Sequence, residues 1–546
     1  MRTPYAPRTH RRILCVSPRY APSFGTFHYS YSLFGGRIRA FMPPQGLLVV
    51  AAYLPESWEV RFVDENARAA SLHDFTWADA VFVSGMHVQR GFIEDVIARA
   101  HRAGKPVVLG GPSVSGCPEH YPEADLIQVG EMGDATDAII RWIDEHAGRP
   151  ARQLRFDTDT RLPLTDFPQP AYRLIRLDQY FISSIQFSSG CPYTCEFCDI
   201  PALYGRNPRL KTPEQVLAEL DALVAGGALA IYFVDDNFIA NQKAALELLP
   251  HLVAWQRRHR FPVRFACEAT LNIAKNDRVL GLMRDAGFQV VFCGIETPEP
   301  EALRSMSKDQ NLRMPILDAV RKLNDYGLEV VSGIILGLDT DTDATADHLI
   351  EFIEASQIPM LTINILYALP RTPLWTRLAA EGRIRSDGGR ESNVVFQLPE
   401  ETVLAMWRRC IAAAYAPEAI YRRFAHNLAH TFPKRARLPR SPHRASWRNA
   451  VSGLALLGRI VWHIGVRGDY RRRFWRVAGP ALRRGQVEEM IQAAVVSHHL
   501  IEFTRQCLRG VREASFYAPS LPAAPPQPVE PLPRPRPGLE RESASR

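Results

Sequence analysis

The chain has 546 residues, 46% of them hydrophobic, and a formal net charge of +8. Its length allows roughly three or four domains, and its composition excludes a disordered or fibrous protein. Nine cysteines, six of them scattered singly, exclude a disulfide framework and suit a reducing compartment. No uninterrupted apolar run reaches the roughly 18–20 residues of a membrane span. The basic first twelve residues lead only into a short apolar stretch at 13–16, too short for a secretory leader, so a cytoplasmic location is expected. The charge is uneven: residues 421–484 hold sixteen Lys/Arg against Asp469 alone, a balance of +15 that leaves −7 for the remainder. Any anionic partner is sought in that basic segment.

Residues 13 to about 148 alternate between short apolar runs and helical patterns. Strands are predicted at 13–17, 60–63, 80–83, 107–109 and 126–129, with helices such as 92–101 and 135–146 between them. Such alternation builds an α/β, doubly wound, Rossmann-like parallel sheet, and such sheets bind ligands beyond the carboxyl ends of their strands. Small residues gather at three of those ends: Ser84-Gly85-Met86, Gly110-Gly111-Pro112 and Gly130-Glu131. Glycine at a strand end lets a flat ligand lie against the backbone, although any α/β domain carries some glycines there. A connector rich in proline and charge is expected at 149–184.

An apolar run at 185–187 then leads into Ser188-Ser189-Gly190-Cys191-Pro192-Tyr193-Thr194-Cys195-Glu196-Phe197-Cys198. Thiolates are the usual protein ligands of iron–sulfur clusters, and a cubane needs four. Three on one tight loop leave one iron open, and an open metal position is where a substrate or cofactor binds. A zinc knuckle would need a fourth ligand, and no histidine follows within ligand spacing.

Past this loop, Thr212-Pro213-Glu214-Gln215 reads as a capping box with proline at the first helical position. Further strands are predicted at 230–234, 263–267, 289–294, 329–336 and 361–367, so that with 185–187 six βα repeats form a partial version of the eight-fold barrel. The residues just after barrel strands do the chemistry. Here they are the cysteine loop, Asp235-Asp236-Asn237, Glu268, Gly294-Ile295-Glu296, Gly337-Leu338-Asp339 and Leu369-Pro370-Arg371. Any one of these acids could equally cap a helix; as a set at successive strand ends they point to a cofactor.

Beyond about 395 the pattern becomes helical, at 400–415, 419–430, 445–466 and 487–510. Residues 451–466 are strongly apolar, interrupted by Arg459 and His463, and flanked by Arg448, Arg467, Arg471, Arg472 and Arg473 with Trp447, Trp462, Phe474 and Trp475 nearby. Basic residues with aromatic anchors fit an interfacial helix on anionic lipid; a buried helix with a basic rim fits the same residues. The proline-rich tail at 516–546 is expected to be disordered.

The cysteine spacing, with Phe197 just before the third cysteine, resembles the radical S-adenosylmethionine (SAM) superfamily from about 185 to 380. The resemblance implies a [4Fe–4S] cluster on Cys191, Cys195 and Cys198, with SAM chelating the fourth iron. It implies that Phe197 and the backbone at 334–337, ending at Gly337, hold the adenine. Glu268 would hold the ribose, Asp235 and Asp236 would lie near the methionyl end, and Glu296 would complete the cofactor set. Directly upstream, the first region resembles the cobalamin-binding domain of that superfamily's cobalamin-dependent class. Ser84-x-Met86 stands for its Ser-x-Leu element and Gly110-Gly111 for its Gly-Gly element, and Gly85, Gly130 and Glu131 extend the expected lining. The Asp-x-His-x-x-Gly element is missing after the first strand, where the chain reads Pro18-Arg19-Tyr20-Ala21-Pro22. Cobalt is therefore expected without a histidine beneath it, although His28 and His87 remain open as ligands.

Four phrases resemble the hopanoid C-2 methylase family over residues 12 to about 500: Ser23-Phe24-Gly25-Thr26-Phe27, Phe41-Met42-Pro43-Pro44-Gln45-Gly46, Phe62-Val63-Asp64-Glu65-Asn66 and Val83-Ser84-Gly85-Met86-His87. The implied activity is cobalamin-dependent radical SAM methylation of an unactivated carbon on an apolar lipid. The alternatives are a methylase or cyclase for another apolar metabolite, and a non-catalytic cobalamin or redox sensor. Methylthiolation of transfer RNA would need a second cysteine set in the first region, which holds only Cys15 and Cys117. The expected partners are a lipid-like substrate, a low-potential donor of ferredoxin or flavodoxin type, and an anionic membrane touched peripherally on its inner face; no nucleic acid is expected. The expected organisation is a cobalamin-binding domain at 1–148, a linker at 149–184, a radical SAM core at 185–395, a helical region at 396–515 and the tail.

Overall fold

Apolar residues alternate along the first strands, and the chain uses both alternating sets. In the computed structural model, which describes residues 3–385, 392–436, 439 and 441–510, β1 (Arg12–Ser17), β2 (Glu59–Asp64), β3 (Ala80–Ser84), β4 (Val107–Gly110), β5 (Leu126–Val129) and β6 (Leu154–Asp157) form one sheet. The order is β2-β1-β3-β4-β5-β6 and every pairing is parallel. Leu14, Val16, Val81, Val83 and Leu109 feed the core on one face; Ile13, Cys15, Phe82 and Val108 feed that on the other. The strand order reverses between β1 and β3, the crevice where doubly wound sheets take their ligands.

In the first region two elements differ from the sequence expectation, and further on the helix Arg471–Arg483 and a short antiparallel strand pair are added to it. β6 lies inside the expected linker. Leu154 and Phe156 pack on the sheet core while Arg155 and Asp157 pair at 2.8 Å on the open side. This is an edge strand whose charged face masks its apolar one. A helix at Gln45–Tyr53 was not predicted, because it is apolar nearly all round and shows no amphipathic period; six of its nine residues are buried. The rest of the connector is packed rather than loose: Tyr172 Oη donates to Ser184 O at 3.0 Å and Tyr180 Oη to the buried Asp64 carboxylate at 3.0 Å.

β7 (Ser183–Ile185) starts a second sheet, and a two-stranded hairpin, β8 (Ser188–Ser189) with β9 (Arg209–Leu210), brackets the cysteine loop. β10 (Ala230–Phe233), β11 (Arg264–Glu268), β12 (Phe288–Glu296), β13 (Glu329–Leu336) and β14 (Met360–Ile365) follow. All six long strands lie parallel in sequence order, from β7 to β14, so the sheet is a partial (β/α)6 barrel as expected. Helix α1 (Pro213–Ala225) is capped by Thr212, whose side chain accepts from Gln215 N. The C-terminal helices include α2 (Trp447–Ile460), which runs on as a π-helical turn at Val461–Val466, α3 (Arg471–Arg483) and α4 (Val487–Leu508). They share one continuous core with the barrel. The tail at 516–546 lies outside the described residues.

Under the cysteine loop, Lys211 Nζ and Glu219 Oε1 pair at 2.5 Å with side chains 0% and 3% exposed, fixing β9 to α1. Removing one partner of a buried pair strands the other charge, whereas replacing both by apolar groups need not. Lys211→Met is therefore expected to cost about 3–5 kcal/mol, and Lys211→Met with Glu219→Leu to recover most of it, as measured by thermal melting. Equal losses in the single and double variants would show that the pair does not hold this corner.

Candidate active site

The loop that follows β7 carries the three thiols, and its backbone is held from several sides. Asp235, just past β10, accepts from Phe187 N and Ser188 N at 2.7 Å each through Oδ1. Asp236 Oδ2 accepts from Gly190 N at 2.7 Å. Glu196 N donates to Met306 O and Leu374 N to Glu196 O, both at 2.9 Å. The Glu196 carboxylate receives Arg377 Nε at 2.6 Å. Gly190 sits at φ +97°, with Gly205 O only 2.9 Å from where a Cβ would lie, so glycine is required directly before Cys191.

All nine cysteines are free; Cys195 is buried, and Cys191 and Cys198 are half-buried. Burial pushes the Cys191 and Cys198 thiols up, and a bound metal reverses that by taking the thiolate directly. Gln310 Nε2 donates to Cys195 Sγ at 3.3 Å. Among the described residues, no three His, Cys, Asp or Glu groups converge as the ligands of one metal ion. Cluster thiolates each bind a different iron, so three thiols on one loop fit a cluster.

The other strand-end groups surround this loop. Asp235 Oδ2 is buried without a partner, and burial pushes that carboxyl up to about 7 despite its two amide donors. Asp236 is raised by burial to about 6. Glu268, at the end of β11, is raised to about 7, chiefly by burial and then by the Asp236 charge. Glu296 ends β12 at φ +67°, unusual for a residue with a Cβ. Its Oε1 takes Lys308 Nζ at 2.5 Å, and that ammonium lies 5.3 Å from the centre of the Phe197 ring. Burial alone would lower the Lys308 pKa, but Glu296 and the Cys195 thiol hold it up. Gly337, at φ +89°, is covered by Phe396, whose ring lies 2.6 Å from a notional Cβ. Its amide donates to Asp341.

The strand ends of the first sheet turn toward the same place. Gly111, at φ +93°, packs so tightly on Ser84 that a Cβ would meet Ser84 Oγ at 2.4 Å. A Cβ on Gly110, by contrast, would meet nothing within 4 Å. The backbone there is open, as a flat ligand requires. Gly85 lies against Ile93, and Gly130 N donates to Ser115 Oγ at 2.9 Å. Glu131 does not face open space: its carboxylate takes Arg209 NH2 at 2.6 Å and Arg161 NH1 at 3.1 Å, and Ser189 Oγ at 3.4 Å. It joins the end of β5 to the hairpin that brackets the cysteines. His28 is exposed. The His87 ring is lowered to about 4 by burial, and its Nε2 is an unpartnered buried atom close to Gly116.

Sequence reasoning missed Lys308, Gln310, Asn311, Arg209 and Arg377. Lys308, Gln310 and Asn311 follow a helix rather than a strand, so the strand-end rule could not find them. The concentration of polar groups in Ser307-Lys308-Asp309-Gln310-Asn311 was the available signal. Asn311 Nδ2 donates to Gly294 O at 3.0 Å and Ile295 O at 3.2 Å, shaping the turn that presents Glu296.

Replacing Asp235 by Ala leaves two buried amides without an acceptor, at about 1–3 kcal/mol each, and is expected to lower the iron bound after reconstitution by at least half. Asp235→Asn keeps the Oδ1 acceptor and is expected to load iron normally. Iron content and visible absorbance of both proteins check this; normal loading of the Ala variant would remove the anchoring role.

The profile of the Radical SAM superfamily matches residues 185–353, that of the B12 binding domain residues 31–140, and a domain of unknown function residues 372–513. The hopanoid C-2 methylase of Rhodopseudomonas palustris (strain TIE-1) is 57% identical over 512 residues, covering 94% of this chain and 97% of that protein. An uncharacterized methyltransferase of Synechocystis sp. is 34% identical, covering 90% and 92%. Two solved structures share the fold. The radical SAM methyltransferase TsrM of Kitasatospora setae, with cobalamin and [4Fe–4S] cluster bound, gives a TM-score of 0.55 at 18% identity, covering 89% of this chain and 99% of that one. The cobalamin-dependent SAM radical enzyme OxsB gives 0.56 at 14%, covering 92% and 80%. With the matched profiles in the order of its two sheets and so near a relative over almost its whole length, the chain belongs to the hopanoid C-2 methylase family of cobalamin-dependent radical SAM methyltransferases.

Proposed function

We propose that this protein methylates C-2 of a hopanoid, a polycyclic hydrocarbon lipid. The observation that carries the reading is the meeting of two open strand-end faces across the Glu131–Arg209 contact, one bearing three free thiols and the other an uncovered Gly110 backbone. Its support in sequence is the 57% identity to a hopanoid C-2 methylase.

In this reading Cys191, Cys195 and Cys198 hold the cluster. Asp235 Oδ2, buried and unpaired, is the acceptor for the SAM ammonium, and Phe197, Glu268, Glu296 and Gly337 bound the rest of that cofactor. Ser84, Gly85, Gly110, Gly111 and Gly130 bound the cobalamin, with Glu131 holding the two faces in register. When bound, the cluster with SAM supplies the means to break an unactivated C–H bond, and cobalamin supplies the methyl group. The protein's own part is position and dryness. Asp235 and Asp236 fix the thiol loop, Lys308 and Gln310 set the charge and hydrogen bonding beside Cys195, and the C-terminal helices close the apolar core around the barrel. Turnover needs a low-potential electron donor of ferredoxin or flavodoxin type, and a lipid of this kind has to be drawn from a membrane, on its inner face.

Expression in a hopanoid-producing host that lacks its own C-2 methylase is expected to yield 2-methylated hopanoid by mass spectrometry, and Cys195→Ala to yield none. Absence of the product, with SAM cleavage retained by the purified protein, would assign the enzyme another substrate. The cob(II)alamin form is expected to show no protein-nitrogen splitting in its electron paramagnetic resonance spectrum, because the Asp-x-His-x-x-Gly element is missing and the His87 Nε2 is buried against Gly116. A clear imidazole pattern, lost in His87→Ala, would make His87 the ligand.

A further inference from the structure

Helix α2 is apolar on both sides: Leu456, Leu457 and Ile460 pack on the core, and the outer face is apolar as well. Trp447, Val451, Leu454, Trp462 and Val466 recur at helical spacing on its outer face and are 83%, 46%, 70%, 54% and 50% exposed. Ser452, Asn449 and Arg459 face the protein, while His463 is exposed. Ser452 Oγ accepts from Arg37 NH1 at 2.8 Å, Asn449 Nδ2 donates to His443 O at 3.0 Å, and the half-buried Arg459 lies over Gly35 and Leu33 O. A surface helix normally turns a polar face outward. A contiguous exposed apolar stripe on a globular protein marks an interaction surface.

What lies beside the stripe identifies the partner. Arg471, Arg472, Arg476 and Trp475 line an open surface hollow on α3. Trp475 Nε1 donates to Gly465 O at 2.9 Å, which joins that hollow to the π-helical end of the stripe, and Arg467 lies 5.9 Å from the Trp462 ring. Between 445 and 485 the chain has nine arginines and a single acid, Asp469, which Arg505 neutralises at 2.6 Å. Arg473 pairs with Glu418, and among the described residues Arg471, Arg472 and Arg476 on the hollow's rim form no ion pair with an acid. A second copy of this face would set arginine against arginine, because a two-fold interface is self-complementary. A nucleic acid would satisfy the arginines but not the five outward Trp, Leu and Val side chains of the stripe. An anionic bilayer satisfies both: apolar side chains in the acyl boundary, guanidinium groups and tryptophan at the phosphates.

We propose that the outer face of α2 and the Arg471–Arg472–Trp475–Arg476 hollow form an in-plane docking surface for an anionic phospholipid bilayer, the hollow taking headgroup phosphate. The segment Asn449–Val466 is long and apolar enough to cross a membrane by length and composition, but its inward face is bonded to the rest of the chain, so it lies along the surface. The purpose of docking rests on the lipid-substrate reading; the observations do not, and the test needs no turnover.

The full-length protein is mixed with sedimentable vesicles of phosphatidylcholine alone or with phosphatidylglycerol. Wild type is expected to bind only the anionic vesicles and to lose affinity as salt shortens the Debye length toward about 8 Å. Arg471, Arg472 and Arg476 changed together to Gln is expected to lower that affinity on the order of 100-fold, from roughly 1 kcal/mol per basic residue. Leu454→Ser with Trp462→Ser is expected to lower it at least tenfold while leaving the melting temperature unchanged, since both side chains are exposed. Brominated acyl chains are expected to quench tryptophan fluorescence in wild type and less in Trp462→Ser. The proposal is overturned if wild type ignores anionic vesicles. It is equally overturned if the stripe variant loses thermal stability instead of affinity, if light scattering gives a dimer that the stripe variant dissociates, or if only RNA binds the arginines.

Discussion

Two carboxylates, the buried Asp235 and the half-buried Asp236, set the geometry on which the rest depends. Three thiols can serve one cluster only if the loop carrying them keeps a single shape, and a short loop cannot order itself against the entropy of its own backbone, about 1–2 kcal/mol per residue. Here Asp235 and Asp236 take the amides of Phe187, Ser188 and Gly190, at the exit of β7 and the approach to Cys191. The acids come from the neighbouring strand, so the loop's shape is fixed by the parallel register of β7 with β10. The barrel is a rigid gauge, and the loop is read against it. Burial raises both carboxyls, yet the amide donors favour the anions; anchor and charge are one device.

The second constraint is that two sheets present their strand ends to each other. Glu131 bridges them through Arg209 and Arg161, and its cost in desolvation is met by two guanidinium partners. On the far side the chain between β1 and the Gln45–Tyr53 helix reaches the C-terminal helices. Ser30 Oγ donates to Val495 O at 2.6 Å, and the His499 ring, neutral because burial lowers it to about 3, hydrogen-bonds Ser23 O at 2.8 Å. The first and last parts of the sequence thus hold each other, which ties the chain leaving β1 to α4.

Legibility of all this in the sequence followed the physics of each signal. The thiol spacing, the six-fold βα alternation and the acids at strand ends were readable, because each is local in sequence. Asp235 and Asp236 were found as strand-end acids but expected beside a cofactor; that their oxygens hold backbone amides depends on a loop forty-odd residues away and no local rule states it. Glu131 was expected as a ligand-lining residue; its bridge to Arg209 is a long-range pairing of the same kind, which no local rule states. β6 and the Gln45–Tyr53 helix escaped because one hides its apolar face behind Arg155 and Asp157 and the other has no polar face at all. Lys308 escaped because it follows a helix.

Helix α2 was legible in composition and not in orientation. Its residues allow a buried helix and an interfacial one equally; what separates them is which side faces out, and that is a tertiary fact. Arg459 faces in, toward Leu33 O, and Leu454 faces out. The same contact ties α2 to the 3-10 segment His28–Phe34, which leaves the carboxyl end of β1 at the sheet's switch point. Next to that segment Phe27 stacks on Phe181 at 5.1 Å and lies 5.3 Å from Phe41, core packing that backs the segment on which α2 rests. An outward apolar stripe on a helix whose inner side is packed and hydrogen-bonded to the chain is surface that water does not satisfy, and it suits contact with a bilayer better than exposure to solvent.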